Sequence, residues 1–95
     1  MISPEEFKNE VSMWSDKVGV KPKEIHIRKM KKKWASCSGR GRLTFAISLL
    51  EEPKEMQLKV ILHELLHLRH PDHGKMFRAL LNSHYNNYFE DEKFD

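Results

Sequence analysis

Val60-Ile61-Leu62-His63-Glu64-Leu65-Leu66-His67-Leu68-Arg69-His70-Pro71-Asp72-His73 is the stretch whose reading decides the fold. It holds His-Glu-x-x-His, with a further histidine six residues on. On a helix, His63 and His67 differ by about 40° around the axis and present two imidazole nitrogens to one ion. Glu64 lies about 100° round from His63, within reach of a water held by that ion without joining its ligands. Two ligands, an open position for water and a carboxylate to take its proton are the requirements of metal-assisted hydrolysis. Leu58, Ile61, Leu62, Leu65, Leu66 and Leu68 fall between roughly 140° and 300° from His63, so the core face and the histidine face are expected to differ. The plainer alternative is a helix with two incidental histidines paired to solvent or backbone. In a chain with six histidines and ten glutamates, the added His73 weighs against that coincidence.

The helix supplies two ligands, and a catalytic zinc site takes three. Pro71 cannot continue a helix and disfavours helical geometry at His70, so the chain should turn and return with His73 as a ligand from outside the helix. His70 and Asp72 are the rivals. His70 reaches the ion only if the helix persists, and Asp72 reads better as the cap of the next helix. The spacing from His63 to His73 equals that of the metzincin pattern, but His70 stands where that pattern has glycine, so the chain is not read as a metzincin.

Ninety-five residues suit one domain, spanning 1–95, with a modest core. No stretch approaches the roughly twenty apolar residues of a membrane span, and Met1 to Glu10 lacks the apolar run of a signal peptide. One cysteine, Cys37, leaves no internal disulfide and agrees with a reducing compartment. A soluble, cytoplasmic protein with no membrane partner is therefore expected. Residues 1–50 carry eleven basic and five acidic groups, residues 51–95 six and nine. Arg28, Lys29, Lys31, Lys32, Lys33, Arg40 and Arg42 make up most of the surplus. Such a cluster suits nucleic acid or an acidic substrate, but is more often the solvated side of a strand pair; no nucleic-acid reading motif accompanies it.

Ser3-Pro4-Glu5-Glu6 opens a helix: a capping serine, a proline whose missing donor costs nothing, then acids at the positive end of the dipole. Phe7, Val11, Trp14 and Val18 form its apolar stripe and Gly19 closes it. Glu24 to Met30 alternates as a strand, with Ile25 and Ile27 inward and His26 on the other face as an exposed residue. Trp34 to Ser38 is a second short strand and Leu43 to Leu49 a third; Gly39 and Gly41 turn between them, making a hairpin. Cys37 has two readings, a small buried side chain or a thiolate that blocks the metal, and the first is preferred. Pro53 falls near the first turn of the metal helix. A last helix runs from His73 or Gly74, with Met76, Phe77, Leu80, Leu81 and Tyr85 inward. His84, Tyr85 and Tyr88 are candidate oxyanion stabilisers, each equally readable as packing or surface. Glu90 to Asp95 is an acidic tail that could fold back over a cationic cleft.

Lys32-Lys33-Trp34-Ala35-Ser36-Cys37-Ser38, then Gly41-x-Leu43-x-Phe45, then His63-Glu64-x-x-His67-Leu68-x-His70-x-x-His73-x-x-x-Phe77 resembles the YgjP-like family of small metal-dependent hydrolases. The resemblance implies a minimal zincin-like fold, related to SprT-like and WLM metallopeptidases and to minigluzincins. It implies His63, His67 and His73 as ligands to one zinc ion, Glu64 as general base and acid, and the strand bearing Trp34 and Cys37 beside the metal helix. The family usually has glycine at the position of Ala35 and commonly tryptophan at that of Arg78. The fold expected is therefore α+β: an N-terminal helix, a small three-stranded antiparallel sheet, the metal helix and a closing helix. The function expected is zinc-dependent hydrolysis of peptide or protein substrates. The alternatives are a zinc hydrolase of a nucleotide or other amide, a nucleic-acid-associated peptidase, and a non-catalytic module whose metal is structural.

Overall fold

The computed structural model describes residues 1–70 and 74–86. Ser3 caps α1 (Pro4–Val18): its hydroxyl accepts from the Glu6 amide at 3.1 Å, and Gly19 ends the helix at φ +83°. That left-handed geometry is the one glycine adopts without a Cβ penalty. Phe7, Val11, Trp14 and Val18 are all buried, so the four-residue stripe read from sequence is the packed face.

Three strands follow: β1 (Glu24–Arg28), β2 (Ala35–Cys37) and β3 (Arg42–Ala46). They form one mixed sheet in the order β1-β3-β2, with β1 parallel and β2 antiparallel to β3. The expected antiparallel sheet is thus corrected. Side-chain alternation reports which residues face the core, but not which strand lies alongside or in what direction. β3 takes the centre because Leu43 and Phe45 are wholly buried, while the three-residue β2 lies at an edge. The β2–β3 hairpin is as expected, but only Gly41 has positive φ, at +88°. Its inner face stacks Ile25, Leu43 and Cys37 in one row and Ile27, Phe45 and Ala35 in the next. Phe45 meets Phe7 of α1 edge-on, with ring centroids 5.0 Å apart.

The third strand stops at Ala46, short of the expected Leu49, and gives way to a 3₁₀ helix over Ile47–Glu51. Leu49 and Leu50 are both wholly buried, and neighbours on a strand point to opposite faces. A tight helical turn buries the pair together. Gln57 then ties the turn to the next helix by donating to the carbonyls of Leu50 (3.2 Å) and Glu52 (3.0 Å).

α2 (Lys54–His67) begins after Pro53, whose carbonyl accepts from the amides of Met56 and Gln57. Leu58, Ile61, Leu62, Leu65 and Leu66 are buried as expected, but so are Gln57, Val60 and Glu64. The helix is covered nearly all round, because β2 and α3 (Lys75–Asn86) lie over the side that sequence reads as polar. On α3, Phe77 and Leu81 are buried and Leu80 partly so, whereas Met76 is 61% exposed and does not join the inner stripe. Met76 sits about 100° from Phe77, outside the narrow strip that meets α2. Among the described residues no helix is long and apolar enough to cross a membrane.

Candidate active site

Side chains one turn apart on α2 bring His63 Nε2 and His67 Nε2 within 3.1 Å of each other. Two nitrogens bound to one tetrahedral zinc at about 2.0–2.1 Å would lie about 3.3 Å apart. The observed spacing therefore fits a shared cation. Phe77 fixes both rings from α3, with its ring centroid 5.3 Å from that of His63 and 4.9 Å from that of His67. Sequence places Phe77 on the inner face of the last helix, but does not reveal that it packs on both imidazoles.

Glu64, between the histidines in sequence, is 8% exposed. Burial raises its carboxyl to about 7, and the Lys33 ammonium offsets part of that rise. A buried carboxyl with a shifted pKa, placed in a cleft, is what a proton-transferring group looks like before its partner binds.

That cleft runs between α2 and β2. A space of about 890 Å³ is lined by Glu64 and His67 from α2, by Ala35 to Gly41, and by a rim that includes Lys33 and Arg69. A second space, of about 430 Å³, continues past Glu64 and is lined by Trp34, Met56, Val60 and His63. Arg69 holds the end of α2 to the end of α1 by donating to the Gly19 carbonyl at 3.0 Å. Lys33 and Arg69 are additions that sequence alone did not single out; Lys33 was legible only as one of a basic run.

Cys37 lines the same cleft, on the inner face of β2. Burial, and secondarily the charge of Glu64, pushes its thiol up, and its Sγ donates to the Ser38 carbonyl at 3.6 Å. His26 stands on the outer face beside Thr44. Its Nε2 is 3.6 Å from Glu24 Oε1, too long for a hydrogen bond, and no other described group bonds it. His70 remains close to the helix, its amide bonded to the Leu66 carbonyl at 2.7 Å. His73 and Asp72 lie outside the described residues, as do Tyr88, the tail over 90–95 and the side chains of His84 and Tyr85. Among the described residues no cluster of three histidine, cysteine or acidic side chains gathers on one point.

The model of the YgjP-like metallopeptidase domain matches residues 3–93, nearly the whole chain. The chain belongs to the YgjP-like family. In this YgjP-like domain the α2 histidines and Glu64 thus sit within a metallopeptidase framework. The crystal structure of the metallopeptidase zymogen abylysin from Pyrococcus abyssi is similar, with a TM-score of 0.71 and 22% identity over 80% of this chain and 76% of that one. A likeness at that identity is one of fold, and the fold is the α+β arrangement described above. Comparison with curated proteins gave no match.

Proposed function

We propose that this domain is a zinc-dependent peptidase, with His63, His67 and His73 holding the ion and Glu64 acting as general base and acid. The observation that carries the reading is the 3.1 Å approach of the two Nε2 atoms beside a buried carboxyl, inside a cleft. Zinc, when bound at such a site, polarises a carbonyl and makes water acidic enough to be deprotonated near neutrality. Glu64 would accept that proton at its carboxylate and return it to the leaving amine, moving between the two protonation states that its raised pKa brings close in energy. Phe77 would hold both imidazoles in place, and the walls of the cleft would limit the access of bulk water.

The substrate is proposed to be a peptide because β2 offers a strand edge along the cleft. The Ala46 amide donates to the Trp34 carbonyl and the Ser38 amide to the Arg42 carbonyl, at 2.8 and 2.9 Å. In an antiparallel ladder the residues that face the partner alternate, so the backbone groups of Ala35 and Cys37 point away from β3. An extended peptide can pair with such an edge. The cytoplasm is the proposed location, on the strength of the single cysteine.

Two substitutions test this reading. Glu64→Gln should retain one zinc per chain while peptide turnover falls by at least about a hundredfold, the usual reach of a positioned acid–base group. His73→Ala should lose zinc. Full turnover by the first variant would remove Glu64 from the chemistry, and tight zinc binding by the second would point to His70 or Asp72.

A further inference from the structure

We propose that the cleft selects peptides with acidic side chains around the scissile bond; this rests on the peptidase reading above. Lys21, Lys23, Lys33, Arg40 and Arg69 line the larger space, and the only acidic group among its described lining residues is Glu64. They come from four separate places: the α1–β1 connection, the β1–β2 connection, the hairpin turn and the end of α2. A solvated strand face would put its charges on one element, whereas these five residues line one concavity from four. Ion pairs among the described residues engage Arg42 with Glu24 and Lys54 with Glu10, not these five. The hairpin turn is built to hold Arg40 there. The Ser38 hydroxyl accepts from the amides of Arg40 (3.3 Å) and Arg42 (3.1 Å), and Gly41 supplies the left-handed residue. Low-dielectric walls focus such a field on whatever enters.

The basic lining continues beyond Glu64. Lys32, Lys33 and Lys59 line the smaller space together with Trp34, Met56 and Val60. Lys33, Ala35 and Glu64 border both spaces, so cationic residues stand on either side of the carboxylate expected to act on the scissile bond. A peptide strand on the edge at Ala35 and Cys37 would lay its residues along both spaces in sequence. A nucleic-acid backbone has no use for alternating amides and carbonyls. Moreover, Arg28 and Lys29, part of the basic surplus, do not line the cleft.

The test is equilibrium binding of fluorescent peptides to the zinc-loaded Glu64→Gln protein, which separates selection from turnover. The peptides carry three glutamates, with glutamine and lysine counterparts. The glutamate peptide should bind at least about tenfold tighter than its glutamine isostere, the effect of two or three exposed ion pairs, with the lysine peptide weaker still. That advantage should shrink as salt rises from about 0.05 to about 0.5 M. Lys23→Glu combined with Arg40→Glu should abolish it, with the milder Lys23→Gln and Arg40→Gln pair as the check if the first fails to fold. Arg28→Glu with Lys29→Glu should retain it. Equal affinity for the glutamate and glutamine peptides, or a preference that survives both cleft pairs, overturns the proposal. Tighter binding of a single-stranded oligonucleotide of equal charge overturns the peptide assignment. Turnover by the parent protein without charge preference would sink this inference alone. Charge-selective binding without turnover would sink the peptidase reading and leave this inference standing.

Discussion

A glutamate whose carboxyl is raised from an ordinary 4.5 to about 7 makes the stability of the metal-free protein depend on pH. The folded form then holds the Glu64 proton more tightly than the unfolded chain does. The resulting stabilisation is complete below the unfolded value and is lost as pH rises through about 7. A shift of this size corresponds to a difference on the order of 3 kcal/mol. Denaturant midpoints of chelated protein between pH 5 and 8 should fall more steeply for the parent than for Glu64→Gln. Parallel curves would mean that the carboxyl is not desolvated. Restoring zinc should narrow the gap, since a cation beside the carboxylate favours its charged form.

Elements carry the next layer, and they were unevenly legible. Helix α1 could be read from end to end because Ser3, Pro4, the apolar stripe and Gly19 act locally, through capping and periodicity. The histidine pair was legible for the same reason, as one turn of α2 fixes their proximity. Sheet order was not, since the partners of β3 are decided by burial of Leu43 and Phe45 and by packing against α1, neither of which alternation encodes. Nor was the cover over the polar side of α2, which depends on where α3 and β2 come to rest. Phe77 is the residue through which that cover reaches the site. Phe77→Ala should cost about 3–5 kcal/mol, the usual range for emptying a buried aromatic position. Phe77→Leu keeps most of the volume but not the ring contacts, edge-on to His63 and tilted to His67. It should stay folded yet bind zinc more weakly, by about tenfold on the scale of substitutions that loosen ligand orientation. Titration against a chelating dye measures this, and unchanged affinity would assign Phe77 to the core alone. In the hairpin, Gly41→Ala forces a Cβ at φ +88° and to within 3.4 Å of Lys23. A stability loss of about 1–2 kcal/mol is expected from thermal unfolding.

At the scale of the whole molecule, the centre of the core lies away from the cleft. Phe7, Val11, Leu43, Phe45, Leu49, Leu62 and Leu65 are wholly buried among α1, the sheet, the 3₁₀ turn and α2, and none of them lines either space of the cleft. A module held together by a structural metal would unfold on chelation, because its ligands would stand in for the core. Here the metal-free chain should stay folded, and zinc should add stability only by mass action. At a free concentration a hundred times the dissociation constant that increment is about 2.7 kcal/mol. For a domain of this size it amounts to a rise in melting temperature of roughly 10–20 °C. His63→Ala should melt close to the chelated parent and show no rise with zinc. If chelation instead abolishes the cooperative transition and the far-UV helical signal together, the metal is structural and the case for an open catalytic position fails. A zinc-dependent rise that persists in His63→Ala would place the ion elsewhere.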